Sequence, residues 1–197
     1  MLSSEEINKV FPIDGPSSNA WAFLQDIPGV AGCMPGADIT EQVDELNYTG
    51  SVKVKVGPAT MAFKGKITVQ GIDADKRELK MQGKGQDVKG TSSATMDLTA
   101  SVRDTDDGKS EVVGVATVTV NGKMASMGGR MMNQVADQIL NQFGANFVNN
   151  VVAMGEGEAA EEAAVKAAEQ PKELNGLAFA WSLLLGFFKN LFGGSKA

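Results

Sequence analysis

From Ala37 to Gly122 the chain alternates apolar and polar residues with a period of two. Val52, Val54 and Val56 alternate with Lys53 and Lys55, and Met61, Phe63, Ile67 and Val69 with Lys64, Lys66 and Thr68. Leu79 and Met81 then alternate with Lys80 and Gln82, and Met96, Leu98 and Val102 with Asp97 and Thr99. The spacing predicts antiparallel strands with one face buried and one face wet. Turn signals at VGP, DADK and DTDDGK separate the runs, and VVGVATVTV predicts the last strand. After Asn121-Gly122-Lys123 the period turns helical. Met127, Met131, Val135, Ile139, Phe143, Phe147 and Val151 recur at i+4, which predicts a helix of roughly 25 residues with one long apolar face.

Ahead of the meander, NKVFPI reads as a short strand. PSSNAWAFLQD and DIPGVAGCMPGA read as two short helices, the first with Pro and Ser at its start. Strand, two short helices, about six antiparallel strands and one long helix is the order of the α+β START-like helix-grip fold. In that architecture a curved sheet wraps the long C-terminal helix, and the gap between them is a place for a ligand.

Small residues recur on the parity of the large apolar ones: Gly65, Gly71, Gly83, Gly85, Ala94, Ala100, Gly114 and Ala116. Two readings stand. Glycines let a sheet bend or a helix come close, or small side chains leave volume for a ligand, since interiors do not keep large voids. On the second reading the sheet contributes Met61, Phe63, Met81, Gly83, Ala94, Met96 and Leu98. The helix contributes Met127, Met131, Val135 and Ile139. Methionines adapt to irregular apolar ligands. No lysine, arginine or carboxylate is expected on this parity in the central strands, so a neutral, elongated, lipid-like molecule fits best.

Composition removes several chemistries. The 197 residues contain no histidine, which excludes histidine bases, histidine-paired nucleophiles and histidine metal sites. Asp104, Asp106 and Asp107 sit in DTDDG, a hairpin turn without EF-hand spacing. A non-catalytic protein is expected, with no metal and no covalent cofactor. The single cysteine, Cys33, lies in an apolar AGCMPG turn and is expected to be buried and inert. The net charge of −6 disfavours nucleic acid as a partner. The N-terminus lacks a basic n-region and an apolar h-region, so a cytoplasmic location is expected.

The chain divides into a body (1–155), an Ala/Glu-rich segment (156–173) and an apolar ending (174–197). EGEAAEEAAVKAAEQPKE carries six glutamates against two lysines and no large apolar residue except Val165, so it reads as a flexible tether, with partial helix an alternative that Pro171 would interrupt. Between Glu173 and Lys189 the only polar side chains are Asn175 and Ser182. That stretch covers roughly 22 Å as a helix, short of a hydrocarbon core of roughly 30 Å. Asn175, Ser182 and Lys189 form one narrow stripe. Leu177, Trp181, Leu184, Leu185, Phe188, Leu191 and Phe192 fill the opposite face. The pattern is that of an amphipathic helix lying in a membrane surface; a span, or a helix docked on a partner or in the protein's own cavity, are the alternatives.

Three stretches resemble the CoxG family of carbon monoxide dehydrogenase accessories, within the START-like (SRPBCC) superfamily. They are WAFLQDIPGVAGCMPGADI (21–39), GSVKVKVGPATMAFKGKITV (50–69) and NGKMASMGGRMMNQVADQILNQF (121–143). The resemblance implies a membrane-associated accessory of the molybdenum-containing carbon monoxide dehydrogenase, or of a related molybdenum hydroxylase. Joined to the apolar pocket and the ending, it leads to a specific expectation. The body holds an isoprenoid quinone, menaquinone first among them, and presents it to the dehydrogenase at the cytoplasmic face of the membrane. The alternative is a recruitment adaptor that anchors the enzyme and carries no ligand.

Overall fold

The computed structural model describes residues 2–56, 59–127 and 129–170. Seven antiparallel strands form one sheet in the order β1-β7-β6-β5-β4-β3-β2. They are β1 Leu2–Ile13, β2 Ala37–Gln42, β3 Asn47–Val56, β4 Ala59–Asp73, β5 Glu78–Asp87, β6 Ser92–Asp104 and β7 Ser110–Gly122. The helices are α1 Ser17–Gln25, α2 Ile27–Gly32, α3 Gly129–Ala153 and α4 Glu158–Ala168, with a 3-10 turn over Met124–Met127. β1 closes onto β7 rather than β2, so β2 to β7 run as a meander and β1 returns to the far edge. The expected order of elements is the observed one, and α3 has the expected 25 residues.

Local chemistry sets the element ends. Asp26 caps α2, its side chain accepting a hydrogen bond from the Gly29 N–H at 3.1 Å, the usual office of an N-cap carboxylate. Gly36 has φ +79°, and a β-carbon there would strike the Lys53 carbonyl. That close approach lets the Lys53 N–H reach the Gly36 carbonyl at 2.9 Å, which starts the pairing of β2 with β3.

The core sits at one end of the concave face. Ile13, Leu79, Ala100, Val102 and Val112 from the sheet meet Ala20, Leu24 and Ile27 from the short helices and Phe147 and Val151 from α3. An aromatic chain ties the layers together. Phe11 of β1 meets Phe143 of α3 edge-on at 6.0 Å, Phe143 meets Phe147 at 5.9 Å, and Phe147 meets Phe23 of α1 at 5.1 Å. Such pairs contribute about 0.5–1.5 kcal/mol each beyond their buried area. Gly144 lies against the Phe11 ring, and a β-carbon there would overlap it. Buried Asn146 donates to the Cys33 carbonyl at 2.9 Å, so the same stretch of α3 also holds the end of α2.

Cys33 is fully buried. Its thiol approaches the Gly29 carbonyl at 3.5 Å and the Asn150 amide at 3.6 Å. Burial pushes its pKa up to about 12, opposed by the Asn150 contact. It stays a neutral thiol across the physiological range.

One segment is partly helical, as allowed, but packed where a free tether was expected. Of residues 156–173, read as a tether, Glu158–Ala168 form α4, which packs along α3. Ala160 and Ala163 are buried there. Small side chains let two helices come close, so alanines too small to build a core of their own still seal against a neighbour. Gln170 Nε2 follows with a 3.4 Å contact to the Asn146 carbonyl.

The close contact of Gly144 with Phe11 predicts that Gly144→Val destabilises the fold by about 1–3 kcal/mol through overpacking. The midpoint of urea unfolding followed by circular dichroism measures it.

Candidate apolar ligand site

Cross-strand register brings the sheet residues expected to line the site onto one face. Met81 lies opposite Leu98, Gly83 opposite Met96, and Gly85 opposite Ala94. On the other side Gly83 lies opposite Ile67, and Phe63 lies beyond, opposite Val52. Met61 follows opposite Val54. Directly opposed residues share a face, so Met61, Phe63, Met81, Gly83, Ala94, Met96 and Leu98 form one contiguous patch on the concave side. Met81 and Phe63 are buried, while Met61, Gly83, Ala94, Met96 and Leu98 keep part of their surface. On α3, Val135 and Ile139 are likewise half-buried. The side chains of Met127 and Met131 lie outside the described residues.

The partial exposure follows from how α3 is seated. Among the strands it runs against β1, and its aromatic clamp is in its second half. Two clefts flank this seam. One of about 400 Å³ lies between β1 and the first half of α3, lined by Ile7, Lys9, Asn133, Ala136 and Leu140 among others. The Lys9 ammonium meets the Asp137 carboxylate at 3.2 Å across it, an exposed pair of the kind that contributes about 0–1 kcal/mol. The other, about 500 Å³, lies on the second half, beside Phe11, Pro12, Gly144 and Val148.

β1 is a wall of the concave side, longer than the short strand expected at NKVFPI. Ile7, Phe11 and Ile13 recur at even spacing and carry the period-two signal. Glu5 and Lys9 on the same parity obscure it.

Two further corrections concern the face itself. The alternation predicts Gly71 on the apolar parity, but the register shifts between Val69 and Gly71. Gly71 therefore lies opposite Lys80 on the outer face, and Ile72 takes the place opposite Leu79. Such a bulge adds one residue and flips everything after it. Asp87 puts a carboxylate on the concave parity at the end of β5, opposite Phe63. It accepts a hydrogen bond from the Thr91 hydroxyl at 2.7 Å, and that bond draws its pKa below the usual carboxylate value. It closes the β5–β6 turn and does not face the middle of the patch.

The glycines are of two kinds. A β-carbon at Gly65 or Gly50 would lie 2.5 Å from a neighbouring strand carbonyl, of Lys84 or of Asp38. These residues serve close approach of the backbone, the first of the two readings. At Gly83 a β-carbon would meet the Met96 methyl at 3.6 Å, and at Gly114 the Leu98 side chain at 3.7 Å. There the space above the sheet is held by the ends of flexible side chains, which can move aside, and not by backbone.

The residues expected to contact a membrane, Leu177, Trp181, Leu184, Leu185, Phe188, Leu191 and Phe192, lie outside the described residues. Among the described residues no helix is long and apolar enough to cross a membrane.

Comparison with known proteins decides the family. The model of the family described as the G subunit of carbon monoxide dehydrogenase (CoxG) matches residues 10–152, from β1 to the end of α3. The chain belongs to the CoxG family. The matched stretch holds nearly all of the concave face, while α4 and the apolar ending lie beyond it. No match was found among curated proteins.

Solved structures share the fold of this CoxG-family chain. A conserved protein from Geobacillus kaustophilus superposes with a TM-score of 0.63 at 18% identity, covering 77% of this chain and 95% of its own. A protein from Thermus thermophilus gives 0.55 at 10% identity, covering 77% and 100%. The Zhui aromatase/cyclase from a Streptomyces species gives 0.50 at 15% identity, covering 85% and 99%. The fold is the START-like helix-grip fold, as the order of elements led us to expect.

The two kinds of glycine separate experimentally. Gly65→Ala should lower stability by about 1–3 kcal/mol, because a backbone carbonyl cannot step aside. Gly83→Ala should change it by less than about 1 kcal/mol. Thermal unfolding of the two variants side by side measures the difference.

Proposed function

We propose that this protein is a membrane-tethered, non-catalytic accessory of carbon monoxide dehydrogenase that carries an isoprenoid quinone. Menaquinone is the first candidate. The quinone ring or its isoprenoid chain lies against the concave patch, the apolar ending (174–197) keeps the body at the cytoplasmic face of the membrane, and the dehydrogenase reduces the quinone there. Electrons taken from carbon monoxide at a molybdenum centre have to reach a carrier that lives in the bilayer. The redox chemistry belongs to the enzyme and the quinone, and this chain supplies binding and position.

One observation carries the reading. The patch from Met81 and Leu98 through Gly83 and Met96 to Phe63 is continuous, apolar and partly open. Its Met81 and Leu98 adjoin the core that holds Phe147, and Met61, Gly83 and Met96 keep surface beyond it. Membership of the CoxG family supplies the enzyme partner.

A second reading has its own support. Met96 and Leu98 already lie over Gly83 and Gly114, so side chains fill part of the volume. On this reading the chain is an adaptor that recruits the dehydrogenase to the membrane and carries nothing.

Gly83→Leu with Ala94→Leu separates the two. In membranes supplied with the dehydrogenase, the carrier reading predicts that the folded double variant still recruits the enzyme but loses carbon monoxide-driven quinone reduction by at least about tenfold, an effect equivalent to about 1.4 kcal/mol. Unchanged quinone reduction by a folded variant would favour the adaptor.

A further inference from the structure

The outer face of the same strands carries a charge pattern that quinone carriage does not use. Lys66 of β4 lies directly opposite Lys84 of β5. Lys64 is two residues along β4, and Lys53 of β3 lies diagonal to it, opposite Ala62. All four are exposed. Among the described residues the ion pairs of lysines involve Lys9, Lys76, Lys80, Lys109 and Lys166, and none of these four.

This arrangement works against folding. Like charges directly opposed across two strands are destabilising. Lysines often guard sheet edges against pairing with other chains, but β3, β4 and β5 are interior strands. The chain as a whole carries −6, so the quartet is concentrated against the overall sign. Asp38, Glu41 and Asp97 share the outer face by register. Asp97 is engaged by the Gln82 amide at 2.7 Å. Asp44, at the adjoining turn, is held mainly by Asn47 and the Leu46 N–H, with Lys66 a minor influence.

What surrounds the lysines indicates the partner's chemistry. Thr49, Ser51, Thr68, Ser93 and Thr95 occupy the neighbouring outer positions. Protein interfaces deplete lysine and are anchored by Trp, Tyr or Arg in pockets, none of which is present here. A layer of acidic headgroups needs no shaped pocket, only net positive charge within a Debye length.

We propose that Lys53, Lys64, Lys66 and Lys84 form a docking face for an anionic lipid bilayer. Phe63 and Gly65 of the concave patch alternate with Lys64 and Lys66 along β4. Headgroup contact through the lysines therefore holds the outer side of the sheet against the lipid and leaves the concave patch open on the side away from it. The inference rests on the reading that this chain works at a membrane, and it adds the body's own contact and orientation.

The test is flotation of the full chain with vesicles of phosphatidylcholine alone, or of phosphatidylcholine mixed with phosphatidylglycerol. The quantity read is the ratio of the two affinities, because an apolar ending acts on both vesicles and cancels to first order. Lys53→Gln/Lys64→Gln/Lys66→Gln/Lys84→Gln is compared with a charge-matched control, Lys76→Gln/Lys80→Gln/Lys109→Gln/Lys123→Gln. The wild-type ratio should exceed the quartet variant's by roughly 100-fold or more at low salt, and the gap should close toward about 1 M salt. The control should stay close to wild type. Removing the opposed pair should leave thermal stability unchanged or raised, so loss of fold will not mimic the result.

Equal ratios for the two variants would overturn the proposal. So would a quartet variant that keeps its preference for anionic vesicles but no longer binds the dehydrogenase, which would make the face a protein contact. Failure of the quinone reading would leave the vesicle ratio untouched, so the two claims fall separately.

Discussion

The seating of α3 on β1 governs the rest of the molecule. Gly144 admits the Phe11 ring against the helix backbone. The chain Phe11–Phe143–Phe147–Phe23 then fixes the second half of α3 to the sheet and to α1. A helix of 25 residues clamped at one end is a lever. Val135 and Ile139 in its far half, and Met96 and Leu98 on the sheet, keep surface that a fully packed core would have hidden. The closed end supplies stability, and on the proposed function the open end supplies the site.

Asn146 shows how the clamp is reinforced. Its amide donates to the carbonyl of Cys33, its own carbonyl accepts from Asn150 at 2.9 Å, and Gln170 approaches the same oxygen. A buried polar side chain is tolerated where its partners are satisfied, and here it joins α2, α3 and the residues after α4. Sealing the second half of α3 by α4 places Gln170 beside the clamp. On the proposed function, membrane attachment and the ligand patch are thus both referred to one helix.

Much of this was legible in the sequence because alternation and i+4 recurrence report burial directly. The meander, α3, the two short helices and the buried Cys33 follow from such patterns. What escaped was of a different kind. The bulge before Gly71 turns on one extra residue that no periodicity reveals. α4 buries only alanines, which carry little hydrophobic signal. Gly65 and Gly83 are the same letter with opposite roles, and only the position of the Lys84 carbonyl and of the Met96 methyl tells them apart.

The central claim, that the open half of the concave face holds a quinone, is tested most directly by the protein's own cargo. The full chain would be purified without detergent from a quinone-containing host, extracted into organic solvent and analysed by mass spectrometry beside a membrane-binding control protein. The account predicts an isoprenoid quinone approaching one molecule per chain and absent from the control. A well-folded chain that yields no quinone, or yields the same lipids as the control, would contradict it.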